Sequence, residues 1–484
     1  MTENIKVNLR KKTIDGFFWS FFDSVGTVGG QFVIGIILAR LLTPADFGLI
    51  GMLTIFIAIG QSLMNSGFAQ ALIQKKDSNH IDFSTVFYFN IFSSIILWLA
   101  IWLCAPYIAV FYNQPQLGLL AKVLCFSFVI DSFGWIQQIH LNKAIEFKAQ
   151  SIIGVVSVLV GGSIGIYLAV SGYGVWSLVI QTLIRTTVKV LLLWKVNSWR
   201  PTLVFSFRSL KGLFGYGSRI LVGGLIATIF QNIYLLLIGR LFNAQSLGYY
   251  TRATQFKDLP VSTINTIVLK VTYPVFAKLQ DDDIKLKTGF RKVSRILVSI
   301  SLPLMVILYL IADPLIRIML TEKWMPVVPY LQMLCTFGWI YVLQTTNITV
   351  FTVKGRSDYY LNFQIIEKII IIFAIVVTYR FGIEAMIWGQ MVTTILSYLL
   401  SSYFMRKVID IKFKTQITNI LPFLLSALIM LAVTLFITRN IKSDIINIIT
   451  TCTIGSAVYL LFLWIQQVDE VIFVINYLTK QMKK

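Results

Sequence analysis

The sequence predicts an all-α polytopic membrane protein of about fourteen transmembrane helices. Three observations predict it. Apolar residues make up 57% of the 484 residues and charged ones only 13%, about half the charged share of a soluble protein. Apolar runs near the roughly 20 residues that a ~30 Å hydrocarbon core demands recur along the whole chain and leave no room for a sizeable soluble domain. Basic residues gather in alternate connections between those runs. Backbone facing lipid must satisfy its own N–H and C=O groups, so the runs are helices and not open strands.

The expected spans follow from the apolar runs and their Gly, Pro and charged punctuation. The first six are Phe17–Leu42, Phe47–Leu72, Phe83–Tyr112, Leu117–Leu141, Ile152–Val170 and Val175–Val196. The next six are Leu213–Phe242, Leu247–Ala277, Ile296–Leu320, Val327–Val353, Tyr360–Tyr379 and Ile383–Phe404. Ile417–Ile437 and Ile445–Ile465 complete the set. The first run follows a basic N-terminus and is far longer than a cleavable signal's apolar core, so it is expected to act as a signal anchor. The tail Val468–Lys484 mixes apolar residues with a basic end and is expected to lie along the membrane surface.

Loop charges give the orientation. Lys6 and Arg10–Lys12, Lys75–Lys76, Lys143 and Lys148, Lys195–Lys211, Lys285–Arg295, Lys354–Arg356, Arg406–Lys414 and Lys480–Lys484 fall on one side. The loops Ala105–Pro115 and Ser171–Gly174 on the other side carry no basic residue. Both termini are therefore expected in the cytoplasm, which requires an even helix count. The net charge of +21 would suggest nucleic acid on a soluble chain; here its placement reads as topology. Cys104, Cys125, Cys335 and Cys452 lie far apart with no CxxC pair, and His80 and His140 are too few for a typical metal centre. The longest connection expected is the stretch near Leu279–Ser294, too small to house an enzyme's site.

The chain also repeats itself. Gln31–Phe56 aligns without a gap on Gln231–Phe256, matching Gln31/Gln231, Arg40/Arg240, Leu41/Leu241, Gly48/Gly248, Thr54/Thr254 and Phe56/Phe256. Tyr173-Gly174-Val175 resembles Phe381-Gly382-Ile383 at nearly the same offset. The repeat unit is thus six helices, and two copies enter the membrane in the same direction, with a pseudo-twofold axis along its normal. Residues 1–200 form the expected first lobe, 201–410 the second, and 411–484 two added helices with a basic tail. Arg40 and Arg240 are expected to anchor equivalent helix ends, with Gly48 and Gly248 allowing close packing.

Three segments carry a resemblance. LLTPADFGLIGMLTIFIAIGQSLMNSGFAQALIQKKD (Leu41–Asp77), SGYGVWSLVIQTL (Ser171–Leu183) and IGRLFNAQSLGYYTRATQFKDLPVSTINTIVLKVTYPVFAKLQDD (Ile238–Asp283) resemble the polysaccharide-export branch of the multidrug/oligosaccharidyl-lipid/polysaccharide (MOP) superfamily. The resemblance implies two six-helix lobes around a central cavity, in a V. It implies a flippase of the bacterial inner membrane that moves undecaprenyl-pyrophosphate-linked oligosaccharide repeat units to the periplasmic leaflet for surface polysaccharide. The implied partners are membrane lipid, the lipid-linked oligosaccharide and polysaccharide polymerase or export machinery, with the chain itself a monomer. No cofactor is expected; a proton or sodium gradient is the expected energy source, and no Walker A pattern occurs.

Such a substrate needs a wet, cationic passage. Each unpaired hydroxyl taken into hydrocarbon costs several kcal/mol, and each charge at mid-bilayer at least about 3 kcal/mol. The first helix carries Ser20, Asp23, Thr27 and Gln31 on one face, either lining a cavity or bonding to a neighbouring helix. The seventh carries Arg219, Thr228, Gln231 and Asn232; Arg219 either meets a pyrophosphate or snorkels to headgroups. Arg252, Lys257, Asp258 and Lys270, with Pro260, make the eighth the most polar, so it should face protein or water. Arg185 and Lys189 share a face of the sixth. The expected substrate residues are Asp23, Gln31, Arg185, Lys189, Arg219, Gln231, Arg252, Lys257 and Lys270. Asp23, Asp131, Asp258 and Glu367 are the expected ion-coupling acids, a buried carboxylate being suited to proton exchange. Glu367 and Lys368, being adjacent, are expected to point in different directions. A drug antiporter of the same superfamily, a sugar polymerase or ligase, and a channel are the competing readings. Cations outnumber acids among the in-membrane residues, which favours the flippase.

Overall fold

The structure is a computed structural model that describes residues 24–64, 72, 79–144, 146–268 and 272–468, without the side chains of 24, 25, 212–220 and 267. The described residues contain helices and no strand. They are α1 (Gly29–Leu41, entered by a π turn at Ser24–Val28), α2 (Pro44–Met64), α3 (His80–Tyr112), α4 (Gln116–Leu124), α5 (Ser127–Ala144) and α6 (Phe147–Val170). Then come α7 (Val175–Val196), α8 (Phe207–Leu241), α9 (Ala244–Ile267), α10 (Tyr273–Leu279), α11 (Asp283–Leu310) and α12 (Ala312–Leu320). The chain continues through α13 (Val327–Val353), α14 (Ser357–Thr378), α15 (Ile383–Ile409), α16 (Phe413–Thr438) and α17 (Asp444–Ile465).

Twelve of the described spans are long and apolar enough to cross a bilayer. Two of the fourteen expected helices are missing from that set for distinct reasons. Only the later part of the first expected span is described, as the short apolar helix ending at Leu41. The other, α9, carries Arg252, Lys257 and Asp258 and so lacks the hydropathy of a lipid-facing helix. Arg252 is buried along it beside Leu247, Tyr250, Ala253 and Phe256, while Asp258, Ser262, Thr263 and Thr266 are exposed.

Several expected boundaries move. The span expected at 117–141 breaks between α4 and α5, where Phe126 N–H bonds to Val123 C=O and Phe128 N–H to Cys125 C=O, three residues back in each case. The span expected at 296–320 breaks at Ile311. Pro314 lacks the N–H that would continue the ladder, so α11 stops at Leu310. The stretch Leu279–Ser294 is not a loop. Helix α11 begins at Asp283, capped by the Asp282 side chain accepting from Ile284 and Lys285 N–H. Leu286 and Phe290 then bury one stripe of it.

The chain forms two compact units, residues 1–248 and 249–484. In the first, Ile34, Leu38 and Leu42 of the α1 strip pack with Val158, Ala169 and Leu178 of α6 and α7. A second core gathers Leu72, Phe83, Phe87, Ile136, Ile139 and Trp199. The connection from α7 to α8 is pinned rather than loose. Arg200 donates to the carbonyls of Trp194 (2.9 Å) and Asn197 (2.6 Å) at the end of α7. Ser206 N–H donates to Thr85 Oγ1 at 3.1 Å, and Ser209 Oγ to buried Asp82.

Helix boundaries repeat at the offset found in the sequence. Helix α1 ends at Leu41 and α8 at Leu241; α2 starts at Pro44 and α9 at Ala244. Thr43 and Asp46 bond reciprocally before α2, and Asn243 Oδ1 accepts from Ser246 N–H at 2.8 Å before α9. The paired glycines meet backbone. A Cβ on Gly48 would lie 1.6 Å from Ala244 O, and one on Gly248 1.9 Å from Pro44 O. Gly174 (φ +54°) and Gly382 (φ +98°) both hold left-handed backbone just before α7 and α15.

In the second unit, Phe276, Leu286, Phe290, Phe351, Phe363 and Phe404 share one core. Helices α16 and α17 are fastened at opposite ends. Gln416 Oε1 accepts from Tyr398 OH and Ser402 Oγ, both at 3.0 Å, while Asp444 pairs with Arg317 of α12 at 3.5 Å. Residues 469–484, where a surface-lying tail was expected, are outside the described residues.

Candidate functional site

Inside the first unit the α1 strip, α2, α5, α6 and α7 surround a cavity of about 520 Å³. Its charged lining is Asp131, Arg185 and Lys189: one acid against two cations. The rest is largely hydroxyls and amides, including Thr27, Gln31, Thr54, Gln61, Gln138 and Gln150. In a membrane-spanning unit such a cavity holds water or polar solute, because its walls cannot be solvated by lipid.

The sequence builds each wall. On α7, Thr182, Arg185, Thr186 and Lys189 recur at helical spacing, so all four share one face. Thr182 and Thr186 hydroxyls donate to the carbonyls of Leu178 (2.9 Å) and Thr182 (3.0 Å), four residues back. Helix α6 approaches closely because Gly161 and Gly165 leave room. A Cβ on Gly161 would lie 2.8 Å from that of Arg185, and one on Gly165 2.8 Å from that of Gln181. The small stripe thus seats the root of the Arg185 side chain. Thr27, in the π turn, and Gln31, one turn on, bring the first helix's polar face to the same space.

Lys189 Nζ lies 3.3 Å from Asp131 Oδ1, tying α7 to α5, with both side chains partly exposed to the cavity. Gln138 Nε2 donates to Gln150 Oε1 at 2.8 Å, tying α5 to α6. Arg185 makes no hydrogen bond and no ion pair among the described residues. The single acid is therefore shared: it pairs directly with Lys189 and reaches Arg185 only through space, so the cavity keeps a net positive charge.

The structure brings together four of the expected residues, Gln31, Asp131, Arg185 and Lys189, with Thr27 beside them. Gln231 does not join its repeat partner Gln31: it is exposed on α8 and lines no part of this cavity. Arg252, Lys257, Asp258 and Glu367 belong to the second unit. There Arg252 lies over the Trp324 ring, 5.8 Å from its centroid, and Lys257 pairs with Asp258 at 2.5 Å. Glu367 and Lys368 do not diverge as expected; Lys368 Nζ reaches Glu367 Oε2 at 2.8 Å, because long neighbouring side chains fold toward each other when buried. Gln344 Nε2 donates to the other oxygen at 2.7 Å. Asp23, Lys270 and the Arg219 side chain lie outside the described residues. Gln61, Gln138 and Gln150 were missed, although amides inside apolar runs were a legible signal.

Comparison with known proteins gives these walls a context. The family described as "Polysaccharide biosynthesis protein" matches residues 37–329, more than half of the chain. The chain belongs to this family. Within such company it is 29% identical to the teichuronic acid biosynthesis protein TuaB of Bacillus subtilis over 429 residues, 87% of this chain and 88% of that one. It is 28% identical to the lipopolysaccharide biosynthesis protein WzxC of Escherichia coli, over 87% of this chain and 86% of that one. The solved structure of the lipid II flippase MurJ, in an inward closed conformation, matches with a TM-score of 0.77 at 16% identity, covering 95% of this chain and all (100%) of that one. An inward-facing multidrug-resistance MATE transporter of the MOP superfamily matches with a TM-score of 0.62 at 16% identity, over 80% of this chain and 95% of its own. These likenesses give the fold: a multi-pass helical membrane protein of the MOP type, as its motifs implied.

Proposed function

We propose that this chain is a flippase that carries undecaprenyl-pyrophosphate-linked oligosaccharide repeat units from the cytoplasmic to the periplasmic leaflet for surface polysaccharide synthesis. The observation that carries the reading is Arg185: a membrane-embedded guanidinium with no hydrogen bond and no close ion pair among the described residues, in a cavity lined by hydroxyls and amides whose single acid, Asp131, pairs with Lys189. Two cations facing one acid leave a net positive charge, which is costly inside a membrane. A pyrophosphate would offset that cost, and Thr and Gln side chains would replace the water lost by sugar hydroxyls. The family supports the same direction. No bond is made or broken in this task, so the protein works as a transporter rather than an enzyme. Two six-helix lobes, 1–200 and 201–410, followed by 411–484 as added helices, alternate access to the two sides, with both termini in the cytoplasm. The gradient of a proton or sodium ion drives the cycle through Asp23, Asp131, Asp258 or Glu367, and membrane lipid and polymerase or export machinery are its partners.

A drug antiporter would want an acidic or aromatic cavity, and this one has two cations to one acid. The deciding experiment is deletion of the gene followed by leaflet-resolved detection of lipid-linked repeat units. They should accumulate on the cytoplasmic leaflet, and surface polysaccharide should fall. Unchanged surface polysaccharide and unchanged intermediates, in a strain without a second copy, would sink the proposal.

A further inference from the structure

The geometry points to a docking site for anionic phospholipid headgroups on the first turns of α11, in the second unit. The helix runs 28 residues, Asp283–Leu310, which at 1.5 Å per residue is roughly 42 Å, longer than a ~30 Å hydrocarbon core. Ile296, Ile300 and Leu304 are exposed at spacings of four and form its lipid-facing stripe. Lys292 continues that stripe one turn earlier, and Arg291 stands beside it, both exposed. They therefore sit roughly 6 Å below the first lipid-facing isoleucine, at the depth of lipid phosphates.

Charge pairing along the turns separates the groups. The acids lie at the far end, away from the apolar stripe. Asp282 pairs with Lys285 at 2.9 Å and Asp283 with Lys354 at 2.6 Å, and Asp281 is exposed in the connection before them. Lys287, Arg291 and Lys292 form no ion pair among the described residues. Arg295, one turn deeper, already stacks over the Phe423 ring at 5.6 Å. Three cations without ion-pair partners thus stand between an acid-capped helix start and a lipid-facing stripe. This arrangement suits phosphodiester headgroups at the membrane surface, which basic residues beside a membrane helix attract. The site holds for whichever leaflet α11 begins in; under the proposed topology that is the cytoplasmic one.

The test uses the full chain reconstituted in vesicles of equal parts phosphatidylglycerol and phosphatidylcholine, with a photoreactive residue in place of Thr288. Lipid adducts and the lipids retained on extraction are read by mass spectrometry. Phosphatidylglycerol should be enriched over phosphatidylcholine. The K287Q/R291Q/K292Q variant should lose that enrichment by on the order of tenfold, and R291K should keep it. Equal retention of the two lipids by the wild type, or undiminished enrichment in the triple variant, would overturn the site. So would an adduct at position 288 in cells that is protein rather than lipid. If the triple variant fails to fold, the wild-type lipid comparison and the identity of the adduct still decide.

Discussion

Arg185 and Lys189 stand one turn apart on α7, yet their electrostatic situations differ. Lys189 forms an ion pair with Asp131, while Arg185 feels the same carboxylate only through space and makes no hydrogen bond or ion pair among the described residues. A charge-assisted hydrogen bond is worth about 1.5–3 kcal/mol, so Arg185→Gln should slow flipping of pyrophosphate-linked oligosaccharide by about ten- to a hundredfold. Arg185→Lys should recover part of the rate, since charge remains and the planar fork is lost. Flipping measured in vesicles loaded with defined lipid-linked substrate checks this; a Gln variant at wild-type rate would remove Arg185 from the passage. Asp131→Asn should act in the opposite sense on binding, because Lys189 then turns to the substrate. Titration of the purified protein with a short-chain pyrophosphate lipid should show tighter binding, and weaker binding would mean that Asp131 positions the site rather than competing for it. The position of these side chains was partly legible beforehand. Helical spacing put Arg185 and Lys189 on one face, but no spacing rule pairs α5 with α7. The Glu367–Lys368 pair shows the limit: backbone direction does not fix where two long side chains end.

Helix ends were most legible where the backbone demanded a particular residue. Gly174 and Gly382 hold positive φ, and α7 begins at Val175 and α15 at Ile383 as expected. The start of α11 was not legible, because a run rich in Lys and Asp looks like a loop until Leu286 and Phe290 find a core. Asp282 caps that start. Hydrogen bonds from the Lys285 N–H, then from its ammonium, then from Ile284 N–H hold the carboxyl below the usual aspartate range. Its contribution to the first turn is therefore complete above the ordinary aspartate pKa and fades as pH falls through the lowered folded value. Amide exchange at Lys285 and Leu286 should accelerate in Asp282→Ala at neutral pH and in the wild type only under strong acid. Equal protection in both proteins at neutral pH would contradict the cap. Gly48 and Gly248 make a second element-scale prediction. An alanine at either drives a methyl into a carbonyl, at about 1–3 kcal/mol, so each should lower the melting temperature by several degrees. Gly223→Ala, where a Cβ meets nothing within 4 Å, should not.

At the scale of the whole molecule, the spans were readable because a bilayer sets their length. The proposed topology makes Asn113 and Asp410 face opposite sides. Single cysteines there, in a background without the four native ones, should react with an impermeant thiol reagent from the periplasm at 113 and only after lysis at 410. Labelling of both from one side would break the parity. What the sequence could not supply was the rotation of each helix, and hence which amides line a cavity, because a span wrapped in both lipid and protein loses the amphipathic signature that betrays a soluble helix's buried face. The matched turns at Thr43–Gly48 and Asn243–Gly248 have a use of their own. Each molecule carries two versions of one part, so each is an internal control for the other. A change made in one turn, then in its twin, then in both, asks a question few proteins allow. If the single defects are equal, the duplicates still perform the same work. If they differ, the ratio measures how unequally two matched turns serve one chain.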